Sequence, residues 1–113
     1  MRKAPLFLVP VAIALFACKM LGGEPAAHCD ASSVEANEFC FEYTKRDYTD
    51  AKSVCKSLAG TWSETGACPR ANALGTCKMS GGISKVFYAG THFKTADDAK
   101  AKCFDKWVGP DGK

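Results

Sequence analysis

Between residues 38 and 43 the run Glu-Phe-Cys-Phe-Glu-Tyr is apolar at 39, 40, 41 and 43 with acids flanking, which predicts a short strand. Residues 48 to 59 change period. Ala51, Val54, Cys55 and Leu58 recur at helical spacing, with Asp47 or Thr49 as N-cap and Gly60 as the stop. Cys55 then falls on the buried face, within reach of a strand cysteine. Thr61 and Trp62 enter a short extended segment, and the polar stretch from Ser63 to Asn72 reads as a loop pinned by Cys68. Leu74 to Met79 and Ile83 to Ala89 are two extended runs around Ser80, Gly81 and Gly82, a hairpin signal. Thr95 opens a second helix. Thr95 and Asp98 make a T-x-x-D cap, and Ala96, Ala99, Cys103 and Trp107 share one face. Gly109, Pro110 and Gly112 end the ordered part.

Ahead of these elements stands a segment of different character. Met1, Arg2 and Lys3 form a positive start, and Ala4 to Ala17 is uncharged, interrupted only by Pro5 and Pro10. A spanning helix needs about 20 apolar residues, so this shorter run reads as a secretory signal. Without Arg2 and Lys3, the 15 basic residues of the chain fall to 13, against 12 acidic ones. The remainder is nearly neutral, which excludes a strongly basic nucleic-acid binder and a polyacidic tail. It also leaves little room for a large catalytic architecture.

Leu15, Phe16, Ala17 and Cys18 resemble the lipobox of bacterial lipoproteins: an aliphatic residue, a tolerant position, a small residue and then cysteine. The resemblance covers the first 18 residues. It implies a lipid on the Cys18 thiol, cleavage just before it, and an acylated new amino terminus. Several acyl chains anchor stably where one binds only marginally, because each buried methylene contributes about 0.8 kcal/mol. In enteric-type sorting an aspartate after the cysteine retains such proteins in the inner membrane, so Lys19 implies the outer membrane. The other reading is an ordinary signal peptide cut after Ala17, with Cys18 a spare thiol. The expected organisation is a signal peptide at 1–17, a lipidated terminus and tether at 18–28, a domain at 29–108 and a flexible tail at 109–113.

With Cys18 lipidated, Cys29, Cys40, Cys55, Cys68, Cys77 and Cys103 remain, an even number that implies three disulfides in an exported chain. No C-x-x-C occurs, which argues against a thioredoxin-like pair, a zinc ribbon and covalent haem attachment. The bridges answer a need. From Cys18 onward the aliphatics are only Leu21, Val34, Val54, Leu58, Leu74, Ile83, Val86 and Val108. Aromatic residues (Phe39, Phe41, Tyr43, Trp62, Phe87, Tyr88, Phe93, Phe104 and Trp107) are expected to supply much of the buried area.

The halves look alike. Asp50-Ala51-Lys52 followed by Cys55 matches Asp98-Ala99-Lys100 followed by Cys103, with Cys40 and Tyr43, or Cys77 and Tyr88, upstream and Trp62 or Trp107 downstream. The expected fold is therefore a small disulfide-rich α+β domain with two strand-helix pseudo-repeats and short antiparallel strands. If equivalent cysteines pair, Cys40 joins Cys55, Cys77 joins Cys103, and Cys29 is left with Cys68. Six cysteines admit many other pairings. From Cys40 onward, Gly60-Thr61-Trp62, Cys68-Pro69 and Gly75-Thr76-Cys77 are also similar to small cysteine-rich bacterial lipoproteins of uncharacterised activity. That similarity implies no activity.

Candidate chemistry is sparse. His28 beside Cys29 reads as a solvated histidine in the tether rather than a metal ligand, and His92 as a turn residue rather than a general base. Asp97 with Asp98 and Asp47 with Asp50 suit helix amino termini better than catalysis. No Walker loop, dinucleotide fingerprint or calcium loop is present, and no cofactor or metal is implied. Lys45-Arg46, and Lys100, Lys102 and Lys106, are small basic spots that read as solvated faces. Tyr43, Tyr48, Tyr88 and the tryptophans could bind glycan if clustered outside, but core duty is expected. The sequence thus suggests a lipid-anchored envelope protein, a non-enzymatic binding or structural module. Its partners would be the membrane and an envelope protein or glycan, not nucleic acid. A small exported enzyme with a thiol or hydrolytic site and a metal-binding module are the alternatives.

Overall fold

The structure is a computed structural model that describes residues 24–44 and 50–113. The signal segment, Cys18, Lys19, Lys45, Arg46, Asp47, Tyr48 and Thr49 lie outside the described residues. The described chain forms strands β1 (Ala27–Asp30) and β2 (Phe39–Tyr43), helix α1 (Ala51–Ser57), strands β3 (Thr61–Ser63), β4 (Ala73–Met79) and β5 (Ile83–Tyr88), helix α2 (Ala96–Lys100) and strand β6 (Lys106–Val108). They make one six-stranded sheet of order β3-β1-β2-β5-β4-β6, antiparallel throughout. The domain is an α+β unit dominated by sheet and crossed by three disulfides.

The strand at 39–43 and the hairpin around Ser80–Gly82 form where the apolar alternation puts them. β1 was not expected. It takes Ala27 and His28 from the stretch read as a tether, and its register sets Cys29 opposite Phe41. A four-residue strand between two partners gains ladder hydrogen bonds on both sides, a gain invisible in local pattern.

Both helices are shorter than their periodicity suggests. In α1 only Ala51 and Cys55 are buried, while Val54 is 48% exposed, a departure from its expected inward position. Small residues at i and i+4 bring the helix close to β1, where Cys55 bonds Cys29 with Cα atoms 5.7 Å apart. Its N-cap is Asp50, whose side chain makes no capping hydrogen bond. Its end is a Schellman turn, Ala59 N–H donating to Lys56 O and Gly60 N–H to Cys55 O. The left-handed residue is Ala59, at φ 59°, not Gly60. Glycine is required at 60 for space, since a Cβ there would meet Cys29 Sγ at 2.7 Å.

α2 has the expected capping box. Asp98 N–H donates to Thr95 Oγ1 at 3.2 Å, and Thr95 N–H donates to Asp98 Oδ2 at 3.2 Å. The helix stops at Lys100, and Trp107 belongs to β6 instead of the helical face expected for it. The reason is geometric. Cys103 is bonded to Cys77 on β4, and Trp107 pairs with that same Cys77 across the ladder. A helix rising about 1.5 Å per residue would carry Trp107 roughly a full turn away from Cys77.

The pairing of cysteines corrects two of three expectations. Cys77–Cys103 forms as expected, but Cys40 joins Cys68 and Cys29 joins Cys55. Sheet parity decides this. Side chains alternate across a strand, so Cys40 points away from Phe39 and Phe41 and toward the face crossed by the 64–72 loop. Cys29, opposite Phe41, shares the helix face.

Glu38 ties β2 to the loop beyond β5. It sits at φ 56°, and its carboxylate accepts the backbone N–H groups of Thr91 at 2.8 Å and His92 at 2.7 Å. Those two bonds hold its pKa below the ordinary carboxylate value, His92 contributing most. The group therefore adds stability above its unfolded-state pKa, and loses it as pH falls through the lower folded-state value. Thermal midpoints of wild type and Glu38→Gln, measured from neutral to acid pH, are expected to converge as the medium acidifies. Parallel curves would rule the carboxylate out as a source of acid sensitivity.

Candidate functional site

The register of β2 against β5 sets Phe39 opposite Phe87, Phe41 opposite Lys85 and Tyr43 opposite Ile83, all on one face of the sheet. Both helices lie on this face, one bonded through Cys29–Cys55 and the other through Cys77–Cys103. A separate core forms under each. Cys29, Tyr43, Ala51 and Cys55 pack with Phe41 and Trp62 below α1, and Cys77, Phe87, Phe93 and Ala99 pack with Trp107 below α2. Tyr43 stands 5.5 Å from Trp62 and Phe87 stands 6.0 Å from Trp107, ring centroid to centroid.

Lys85 occupies the seam between these cores. Its Nζ lies 4.2 Å from the Phe39 ring centroid, 5.1 Å from that of Phe87 and 5.6 Å from that of Phe41. Among the described residues no carboxylate forms an ion pair with it; the ion pairs found are Lys52–Glu64 and Arg70–Glu42. Burial pushes its pKa down, because desolvation disfavours the ammonium. Ring faces compensate only partly, since cation–π contacts contribute about 0.5 to 2 kcal/mol and supply no lone pair to the three N–H donors.

Two hollows open beside this amine. One of about 570 Å³ is lined by Asn37, Phe39, Lys85, Phe87, His92, Phe93, Lys102 and Phe104. The other, of about 350 Å³, is lined by Cys77, Met79, Asp105 and the same Lys85, Phe87, Lys102 and Phe104. Phe104 stands at their common rim and is 95% exposed, so the core role expected of it is corrected. It lies in the turn between Cys103, held by its bridge, and β6, and has no face of the sheet to cover.

The opposite face is covered in part by the 64–72 loop. The 64–72 loop is bonded through Cys40–Cys68, and the buried Glu42 carboxylate accepts Cys68 N–H at 2.9 Å and pairs with Arg70 Nη2 at 2.8 Å. Tyr88 Oη donates to Pro69 O at 2.6 Å, and burial pushes its hydroxyl pKa up. A third hollow of about 360 Å³ lies beside Arg70, with Lys78, Ser84 and the terminal Asp111–Lys113.

The residues singled out from the sequence do not converge. His28 on β1 places Nδ1 3.2 Å from Gly66 O, while His92 lines the larger groove hollow. Asp98 caps α2. Lys102 lines the groove, but Lys106 pairs with Lys78 on the other face of the sheet. Tyr43 and Tyr88 are buried on opposite faces, and the tryptophans are half-buried among core residues. All six cysteines from 29 to 103 are oxidised. Among the described residues no three His, Cys, Asp or Glu side chains are grouped to hold a metal. What pattern reading missed is Lys85. Its signal was parity, a lysine standing in register with Ile83 and Phe87 on the apolar face of a strand.

No protein-family model, curated protein or solved structure matches the chain.

Proposed function

We propose that this protein is an exported, lipid-anchored, non-enzymatic binding module of the cell envelope, and that its binding surface is the groove around Lys85, on the helix-bearing face of the sheet and beside the turn that follows α2. The observation carrying the binding role is Lys85, an amine set among phenyl rings beside an open hollow and under the exposed ring of Phe104. The anchor rests on Leu15-Phe16-Ala17-Cys18, and Lys19 favours the outer membrane. Three disulfides belong to an oxidising, exported environment. No helix among the described residues is long and apolar enough to cross a membrane, so membrane attachment in this reading falls to the lipid on Cys18.

The module reads further as a duplicated β-β-α-β unit. In each half the middle strand of a three-stranded group carries a cysteine, Cys29 or Cys77, bonded 26 residues on to Cys55 or Cys103, and paired across the ladder with Trp62 or Trp107. The groove then lies where the two copies meet along β2 and β5. Small-molecule sites recur at such junctions.

Substituting Cys18→Ala is expected to move the protein from the membrane fraction to the soluble fraction, with the domain folded. Intact mass of the native protein is expected to show amino-terminal lipid and three disulfides together. Membrane association that survives the substitution would overturn the anchor.

A further inference from the structure

We propose that the groove holds a single-chain amphiphile with a carboxylate head, the carboxylate on Lys85 and the chain along the partly exposed Phe39 and Met79 and the exposed Phe104. This rests on the groove being the binding surface. The two hollows share Lys85, Phe87, Lys102 and Phe104, so they form one continuous groove with a cation at its floor and an apolar ring at its rim. Each falls in the range of roughly 300 to 1,000 Å³ typical of small-molecule sites.

Charge argues for an anion. Lys85 and Lys102 line the groove against a single acid, Asp105, whose Oδ1 accepts Lys106 N–H at 3.0 Å. The Lys85 ammonium has three N–H donors, three ring faces around it and, among the described residues, no carboxylate paired with it, so an oxygen anion supplies what the protein leaves out. A singly charged head matches the one half-buried cation, Lys85, since Lys102 stands exposed at the rim. Depth argues for a free chain over a bilayer surface. Lys85 projects from a central strand of the sheet, half-buried, so an anionic head reaches it only by entering the groove.

The test uses the exported protein carrying Cys18→Ala, titrated by calorimetry with decanoate, 1-decanol and decyltrimethylammonium. Decanoate is expected to bind most tightly. Loss of one charged contact is worth about tenfold or more, so Lys85→Met should weaken decanoate by that factor and leave decanol nearly unchanged. Phe104→Ala should weaken all three, and thermal midpoints of both variants check their folding. If decyltrimethylammonium binds as tightly as decanoate, or Lys85→Met has no effect on decanoate, the carboxylate assignment is overturned, while sensitivity to Phe104→Ala still upholds the groove. If none of the three probes binds, the groove itself is not the binding surface. The comparison of head groups needs no variant, so it stands even should Lys85→Met fail to fold.

Discussion

Removing the Cys40–Cys68 bridge, as Cys40→Ala with Cys68→Ala, is expected to lower the unfolding free energy by about 3.5 kcal/mol. The bridge joins residues 28 apart, and opening a loop of that length returns that much chain entropy to the unfolded state. Both sulfurs are buried, so the substitution also leaves a small void beneath the 64–72 loop. Domains of this size are stable by about 5 to 15 kcal/mol, and this one has few aliphatics to fall back on. What remains to hold the 64–72 loop is the Glu42 carboxylate on Cys68 N–H and Arg70, and Tyr88 on Pro69 O. Chemical denaturation followed by circular dichroism measures the loss. A change below about 1 kcal/mol would mean that those polar contacts, and not the bridge, fasten the loop.

Gly75→Ala is expected to destabilise the domain by about 2 to 3 kcal/mol, near the upper end for an overpacked site. A Cβ at 75 would stand 2.0 Å from Trp107 Cζ2 and 2.6 Å from Cε2 and Cη2, so the indole lies directly against the strand backbone. Trp107 belongs to a three-residue edge strand paired only with β4. The ring cannot shift alone, and β6 must peel away with it. Denaturation midpoints and tryptophan fluorescence both report this. In a Trp107→Ala background the added methyl group meets no ring, so Gly75→Ala should there cost little. Equal costs in the two backgrounds would show that the strain lies in the backbone and not against the indole.

Some elements were legible locally. The alternation at 39–43, the glycine-centred hairpin and the Thr95–Asp98 box each carry their cause within a few residues. β1 and β6, at four and three residues, carry no such signal, because their stability comes from partners distant in the chain. The same holds for the groove. Lys85 is one lysine among many until β2 is laid beside β5 in register. Phe104 is one core candidate among many until the turn after Cys103 places it outside.

By itself the sequence determined an oxidised, cysteine-stapled α+β domain and the start of α2, because composition and capping act at short range. It also determined that six cysteines would pair, since an even set with few aliphatics around it needs cross-links. Only the tertiary structure decided which of them pair, where the helices stop and which residues surround Lys85. Those outcomes depend on which face of the sheet each side chain meets, and strand register settles that through contacts between residues far apart in sequence.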